Sequence, residues 1–226
     1  MKTLGLIGGT SWHSTIEYYR YLNEMINEKF DPPQNPPLLI YSLNADLMRR
    51  GDWEEIKLAY LDISLNLQRG GAEAIVICAN TPHKVCPFVA PHLDIPFIHI
   101  ADAIGEEAKR LGLKNLGLLG TLPVMQENYI SGRLEENYQI QTTTPDKRNG
   151  VKMHRIIANE LTQGIFEENA KQFVLSEMQK MKADGADGII LGCTELPLLI
   201  KAKDFDLHLL NTTYLHAKKA VDFIVG

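Results

Sequence analysis

Cys193 is the residue in this sequence with the most reactive side chain in the most suggestive place. It ends the apolar run Gly188-Ile189-Ile190-Leu191-Gly192 and stands just before a helical stretch. A helix macrodipole favours thiolate over thiol at such a junction, and a thiolate of near-neutral pKa is a competent general base. The alternative is a small buried cysteine that packs like alanine. Cys78 and Cys86 fit that alternative. Strand alternation turns Cys78 away from its neighbour Ala79 and into the core, and Cys86 has no partner at metal-ligand spacing. Four strand-to-helix junctions carry small hydroxyl or amide residues: Gly9-Thr10-Ser11, Asn80-Thr81, Gly120-Thr121-Leu122 and Cys193-Thr194-Glu195. Free N–H groups at helix starts, with hydroxyls beside them, suit a carboxylate, although each junction alone is equally a helix cap. Of the histidines only His83 falls near such a junction, either acting directly or supporting the Asn80-Thr81 turn.

The elements that must position these residues are legible as alternation. Short apolar runs predict strands near 3–7, 37–42, 74–78, 96–100, 116–119, 139–143, 187–191 and 207–210. Amphipathic stretches between them predict helices over 14–29, 53–69, 83–90, 102–111, 123–136, 150–163, 167–184 and 212–225. Ser14-Thr15-Ile16-Glu17 has capping-box spacing and is expected to start the first helix, while the proline-rich stretch 31–37 must be a loop. Two motifs recur in order. Leu4-Gly5-Leu6-Ile7-Gly8 returns as Leu116-Gly117-Leu118-Leu119-Gly120, 112 residues on; the Gly71–Thr81 segment returns as Gly185–Glu195, 114 residues on and pairing Ala79 with Cys193. A weaker echo pairs Phe97-Ile98-His99-Ile100 and its helix with Leu209-Leu210-Asn211 and the last helix. Such a duplication predicts an α/β protein of two similar doubly wound domains with mostly parallel sheets, related by pseudo-two-fold symmetry. The division expected is 1–100 plus 209–226 for one domain and 101–208 for the other. Ligands of open α/β sheets lie at carboxyl ends of strands, so the active site is expected in a cleft between the domains.

Composition narrows the function. The 226 residues carry a net charge of -5 with no basic run beyond Arg49-Arg50, which argues against nucleic acid. No apolar stretch has membrane-spanning length, and the opening residues run straight into a strand pattern, so neither a membrane protein nor a secretory leader is expected. Three cysteines without paired spacing fit the reducing cytoplasm. The glycines of Gly5-Leu6-Ile7-Gly8-Gly9 lack dinucleotide-binding spacing, no histidine–carboxylate cluster has metal-ligand spacing, and no lysine is placed for a Schiff base. No metal and no cofactor are therefore expected.

Taken together, Lys2–Trp12, Asn80-Thr81-Pro82-His83 and Gly192-Cys193-Thr194-Glu195 resemble the aspartate/glutamate racemase family over essentially the whole chain. The resemblance implies a homodimeric enzyme free of pyridoxal phosphate and metal, acting on a small carboxylate or amino acid such as aspartate or glutamate. Two acid/base residues then flank the α-carbon, one removing its proton and the other returning it to the opposite face. It further implies that Asn80, Thr81 and Thr194 hold the α-carboxylate, that Thr10 and Thr121 line the site, and that Met48 and Arg49 lie toward the substrate side chain. His83 and Glu195 have supporting roles. Arg49 could clamp a second carboxylate or simply be solvated beside Arg50. One departure stands out: the family carries cysteine or threonine where this chain has Ala79, and a methyl group exchanges no proton. Cys78 could substitute only through a bulge. Three explanations stay open: an engineered or natural variant lacking one base; a slow racemase using water on that face; or a single-cysteine enzyme similar to arylmalonate decarboxylase. A non-catalytic carboxylate-binding relative is the alternative from another class.

Overall fold

Strands with apolar residues on both faces belong in parallel sheets covered by helices on both sides. The computed structural model, which describes residues 1–226, contains two such sheets, each in its own unit: Met1–His99 with His216–Gly226, and Ile100–Leu215. In the first unit β1 (Leu4–Gly8) is buried along its length and is followed by α1 (Trp12–Asn27), β2 (Leu38–Ser42), α2 (Asp46–Arg50), α3 (Trp53–Arg69) and β3 (Ala74–Ile77). A 3-10 turn, Thr81–Val85, then leads into α4 (Cys86–Val89). The sheet order is β2-β1-β3, all parallel, with Phe97 adding a single parallel bridge beside Ile75. Alternation sorts its side chains into two cores. Leu4, Leu6, Val76 and Cys78 pack with Tyr18 and Leu22 of α1, whereas Ile7, Ile75, Ile77 and Ala79 pack with Ile56, Tyr60 and Ile63 of α3.

The second unit repeats the plan. It opens with α5 (Ile100–Leu111), β4 (Asn115–Gly120), α6 (Leu122–Gln126), α7 (Asn128–Tyr138) and β5 (Gln141–Thr143). It continues through α8 (Lys147–Asn159), α9 (Glu168–Ala183), β6 (Gly188–Gly192), α10 (Leu196–Leu199) and β7 (His208–Asn211), and α11 (Thr212–Val225) ends the chain. The sheet order is β5-β4-β6-β7, again parallel. The repeat extends to details of the turns. Gly71 and Gly185, paired by sequence, have φ of 98° and 99°, a conformation open to glycine. Two residues on, Glu73 accepts a hydrogen bond from the Thr3 amide at 2.7 Å, and Asp187 accepts from the Lys114 and Asn115 amides at 2.8 and 3.1 Å. Each carboxylate thus ties the start of one strand to its neighbour. Helices α5 and α11 follow equivalent sheet positions, yet α5 packs among residues of the second unit and Ala217, Ala220, Val221 and Ile224 of α11 pack in the first.

Several expectations shift. The return to the first unit falls at residue 216 rather than 209, because β7 pairs with β6 in the second sheet. The strand expected at 96–100 is one bridge only; Pro96 has no N–H to give a ladder, and the chain turns into α5 at Ile100. The expected helix at 83–90 breaks into short turns, with Pro82, Pro87 and Pro91 each in the opening turn of one. The stretch 123–136 divides at Glu127, whose backbone is extended. α8 starts earlier than expected, at Lys147, because Asp146 caps it by accepting from the Asn149 amide at 2.9 Å. Ser14 does not cap α1. Ser11 does, accepting from the Ser14 amide at 3.4 Å, and Glu17 turns outward to Arg20.

The early start of α1 depends on Gly9, whose φ is 88° and where a Cβ would lie 2.1 Å from the Leu43 carbonyl oxygen. Gly9→Ala should therefore cost about 2 kcal/mol or more in urea unfolding, from backbone strain plus the clash. Gly51→Ala is the comparison, since Gly51 has φ of 73° but nothing within 4 Å of the added carbon. It should cost about 1 kcal/mol, from backbone strain alone. Equal losses at the two positions would refute the role of the Leu43 contact.

Candidate active site

In the second unit, β6 delivers Cys193, Thr194 and Glu195 in a turn that closes into α10. Cys193 Sγ donates to Glu195 Oε2 at 2.9 Å, and Thr194 Oγ1 donates to the same oxygen at 2.7 Å. Glu195 is 5% exposed and Cys193 8%. The thiol is pushed well above its ordinary pKa, first by burial, then by the Glu195 charge and the hydrogen bond to it. The amides of Glu195 and Leu196 pull the other way and do not prevail. Burial and the neighbouring carboxylate thus favour the thiol over the expected thiolate, and Cys193 stands as a donor to Glu195. The helix that was to favour the anion is only four residues long, and the neighbouring carboxylate repels a second negative charge. Thr121 leaves β4 level with this turn, since Gly120 pairs with Gly192 in the register. On the other flank Leu191 pairs with Asn211, which brings Thr212 to the same strand end, its hydroxyl donating to the Leu191 carbonyl at 3.0 Å. Sequence reasoning missed Asn211-Thr212; the weak echo with His99 was its only signal.

In the first unit, Ala79 occupies the equivalent place. It too is 8% exposed, on the sheet face covered by α3, as Cys193 lies on the face covered by α9. The ladder runs on regularly past β3, with the Cys78 amide donating to Ile7 at 2.9 Å, so no bulge swaps Cys78 into the place of Ala79. Cys78 is 1% exposed, and burial holds its thiol far up. Asn80 is buried, and its carbonyl accepts from the His83 amide at 3.1 Å, closing the turn that carries Thr81. His83 Nδ1 donates to the Ala79 carbonyl at 2.8 Å, a supporting position.

Thr10 and Met48 meet through a residue the sequence reading did not single out. Thr10 Oγ1 and Tyr60 OH are 2.9 Å apart, and the same phenol donates to Met48 Sδ at 3.9 Å. Tyr60 is fully buried, and burial raises its pKa. It was hidden because it reads as one more apolar residue on the inner face of α3. Arg49 does not join this group. Its side chain is 81% exposed and ion-paired with Asp46 within α2, a short helix that was itself unforeseen. Its signals were Asn44, which accepts from the Asp46 amide at 3.0 Å, and Gly51 at the C-terminus with φ of 73°.

A family model described as Asp/Glu/Hydantoin racemase matches residues 7–220. The chain belongs to the Asp/Glu/hydantoin racemase family. Among solved structures of this racemase family, a Yersinia pestis protein provisionally described as an Asp/Glu racemase is 37% identical, with a TM-score of 0.94 and full coverage of both chains. An aspartate racemase homologue from Pyrococcus horikoshii OT3 is 34% identical, with a TM-score of 0.88 and again full coverage of both. The broad specificity amino-acid racemase RacX of Bacillus subtilis is 25% identical over 226 residues, 96% of each chain. The glutamate racemase of Histophilus somni strain 129Pt is 30% identical over 128 residues, 56% of this chain and 46% of that enzyme. The match therefore spans about half the length of that glutamate racemase. No helix of this family member is long and apolar enough to cross a membrane, and no three His, Cys, Asp or Glu side chains are grouped to hold a metal ion.

The Cys193–Glu195 pair makes a direct expectation. Glu195→Gln removes the carboxylate charge, so the Cys193 pKa should fall and more thiolate should be present at any given pH. Alkylation of Cys193 by iodoacetamide at pH 8, followed by mass spectrometry of its peptide, should accelerate at least about tenfold. An unchanged or slower rate would overturn the account of the thiol.

Proposed function

We propose that this chain is a cofactor-independent racemase of an acidic amino acid, aspartate or glutamate, in which Cys193 moves the α-proton and Ala79 occupies the place of the second acid/base. The observation that carries the reading is the hydrogen bond from Cys193 to Glu195 at the end of β6. Transfer of the thiol proton to the Glu195 carboxylate leaves a thiolate and a neutral acid, with no change in net charge. The thiolate then takes the α-proton from one face; return from the resulting thiol gives exchange with retention, and inversion requires water to protonate the carbanion on the Ala79 face, the hydroxide so formed taking back the proton held by Glu195. Asn80, Thr81 and Thr194 hold the α-carboxylate, with Thr10, Thr121 and Met48 lining the substrate; Arg49 is assigned only an outer position because of its exposure. His83 supports the turn that carries Asn80. The reading includes a homodimer, as the resemblance implies, and a reducing cytoplasm, which suits three free cysteines.

A second reading draws on the protonated state of Cys193. A lone thiol donor is the group a one-sided protonation requires, as in a single-cysteine decarboxylase or isomerase of the same superfamily. A carboxylate binder without catalysis is the remaining alternative.

Solvent-isotope exchange at the α-carbon of aspartate, glutamate and a malonate analogue separates the three. The one-base racemase should exchange one enantiomer faster than it inverts it, and Cys193→Ala should abolish exchange while remaining folded. Ala79→Cys should raise racemisation by about 10²–10⁴-fold, Ala79→Thr less, and Ala79→Val not at all. Decarboxylation of the malonate with no gain from Ala79→Cys selects the second reading; binding without exchange selects the third.

A further inference from the structure

Both crossings of the chain between the units occur at a histidine: His99 precedes Ile100, and His216 follows Leu215. Both imidazoles pack edge-on against His83, with ring centroids 4.8 and 5.3 Å away. All three are buried, His83 and His216 completely.

The hydrogen bonds fix one protonated nitrogen in each of two of them. His216 Nε2 lies 2.9 Å from the Ile98 carbonyl, which only accepts, so Nε2 carries the hydrogen. In the neutral ring Nδ1 is then a lone pair, and the buried Tyr18 hydroxyl donates to it at 2.7 Å. Charging His216 would place a hydrogen on Nδ1 and take from Tyr18 the acceptor for its own. His83 Nδ1 likewise donates to the Ala79 carbonyl, which leaves Nε2 as a lone pair without a hydrogen-bond partner. A proton there would create a buried N–H⁺ with nothing to receive it, an expensive arrangement.

We propose that Tyr18, His216, His99 and His83 form an uncharged cluster that positions the Ala79–Asn80 turn, His83 gripping the Ala79 carbonyl while His99 and His216 fix its ring. Charging the cluster releases the turn. That this turn meets substrate rests on the proposed function; that the imidazoles hold it does not.

Hydrogen bonds to the Ala79 and Asn80 backbone favour a charge on His83 but do not prevail against burial. His83 faces His99, His216 and the Phe97 ring, and Tyr18 lies near Cys78. Burial holds His83 well below its usual pKa, with His99 and His216 adding to the effect. Burial and Cys78 hold the Tyr18 phenol up, and burial holds the Cys78 thiol up, so both stay neutral. Because the folded pKa of His83 is depressed, the unfolded state binds more protons as the solution acidifies. The stabilisation is complete above a pH of about 6.5 and declines below it, by up to about tenfold in the folding constant per pH unit for one imidazole.

The test compares the full-length protein with His83→Gln, which keeps a donor for the Ala79 carbonyl but cannot charge, and with Tyr18→Phe, which frees His216 Nδ1 for a proton. Amide hydrogen exchange of the peptide spanning residues 74–85 is measured from pH 8 to 5.5 and corrected for intrinsic rates. Wild-type protection should fall about fivefold between pH 6.5 and 5.5, His83→Gln should flatten that fall, and Tyr18→Phe should shift it to higher pH. If His83→Gln and wild type show the same pH profile, the proposal is overturned. Isotope exchange at aspartate, followed on the same samples, keeps the two readings apart. The expected protection pattern in a protein that exchanges no amino acid supports the cluster and refutes the proposed reaction.

Discussion

Beyond the exposed Asn115 that opens β4, burial of β1, β3, β4 and β6 between helices leaves those strands no face on which a polar side chain can sit. An unpaired polar group inside such a layer costs several kcal/mol by order of magnitude, so reactive residues collect where the strands stop. Cys193, Thr121, Thr10 and the Ala79–Thr81 turn all stand at carboxyl ends for that reason. Glu195 is the informative exception: it is nearly fully buried, yet tolerated because a thiol and a hydroxyl both donate to one of its oxygens.

The two halves have diverged at the point where they are otherwise most alike. Ala79 and Cys193 share exposure, sheet face and place in the repeat. Two residues on, one strand end carries Glu195 and the other Thr81, so only the second unit pairs a thiol with a carboxylate. The first unit instead surrounds its turn with three imidazoles and a phenol. Under the proposed function this separates proton transfer, which needs a group able to change charge, from substrate holding, which needs groups that do not.

The duplication, the parallel sheets and most strand positions were legible in the sequence because they follow from local pattern. Gly71 and Gly185 share a backbone conformation, and Glu73 and Asp187 a bonding pattern, because the motif repeats. What stayed illegible arises from packing between distant segments. The thiol form of Cys193 depends on how deeply the turn is buried and on Glu195 folding back upon it. Tyr60 looks like core until its hydroxyl is found between Thr10 and Met48. His216 lies 133 positions from His83, with only the echo between residues 97–99 and 209–211 to hint at its neighbourhood. The capping box at Ser14 failed for a local reason: the turn at Gly9 starts the helix at Trp12, ahead of the motif.

The exchange of α5 and α11 bears on how such a chain arises. A half-length ancestor with this plan would end in a helix that has no place on its own sheet and would lend it to a second copy. That is a swapped dimer, in which neither polypeptide is complete alone. Joining the two copies head to tail converts the loan into an internal one and makes folding independent of concentration. It also releases the two strand ends from identity, so that one can carry Ala79 where the other carries Cys193.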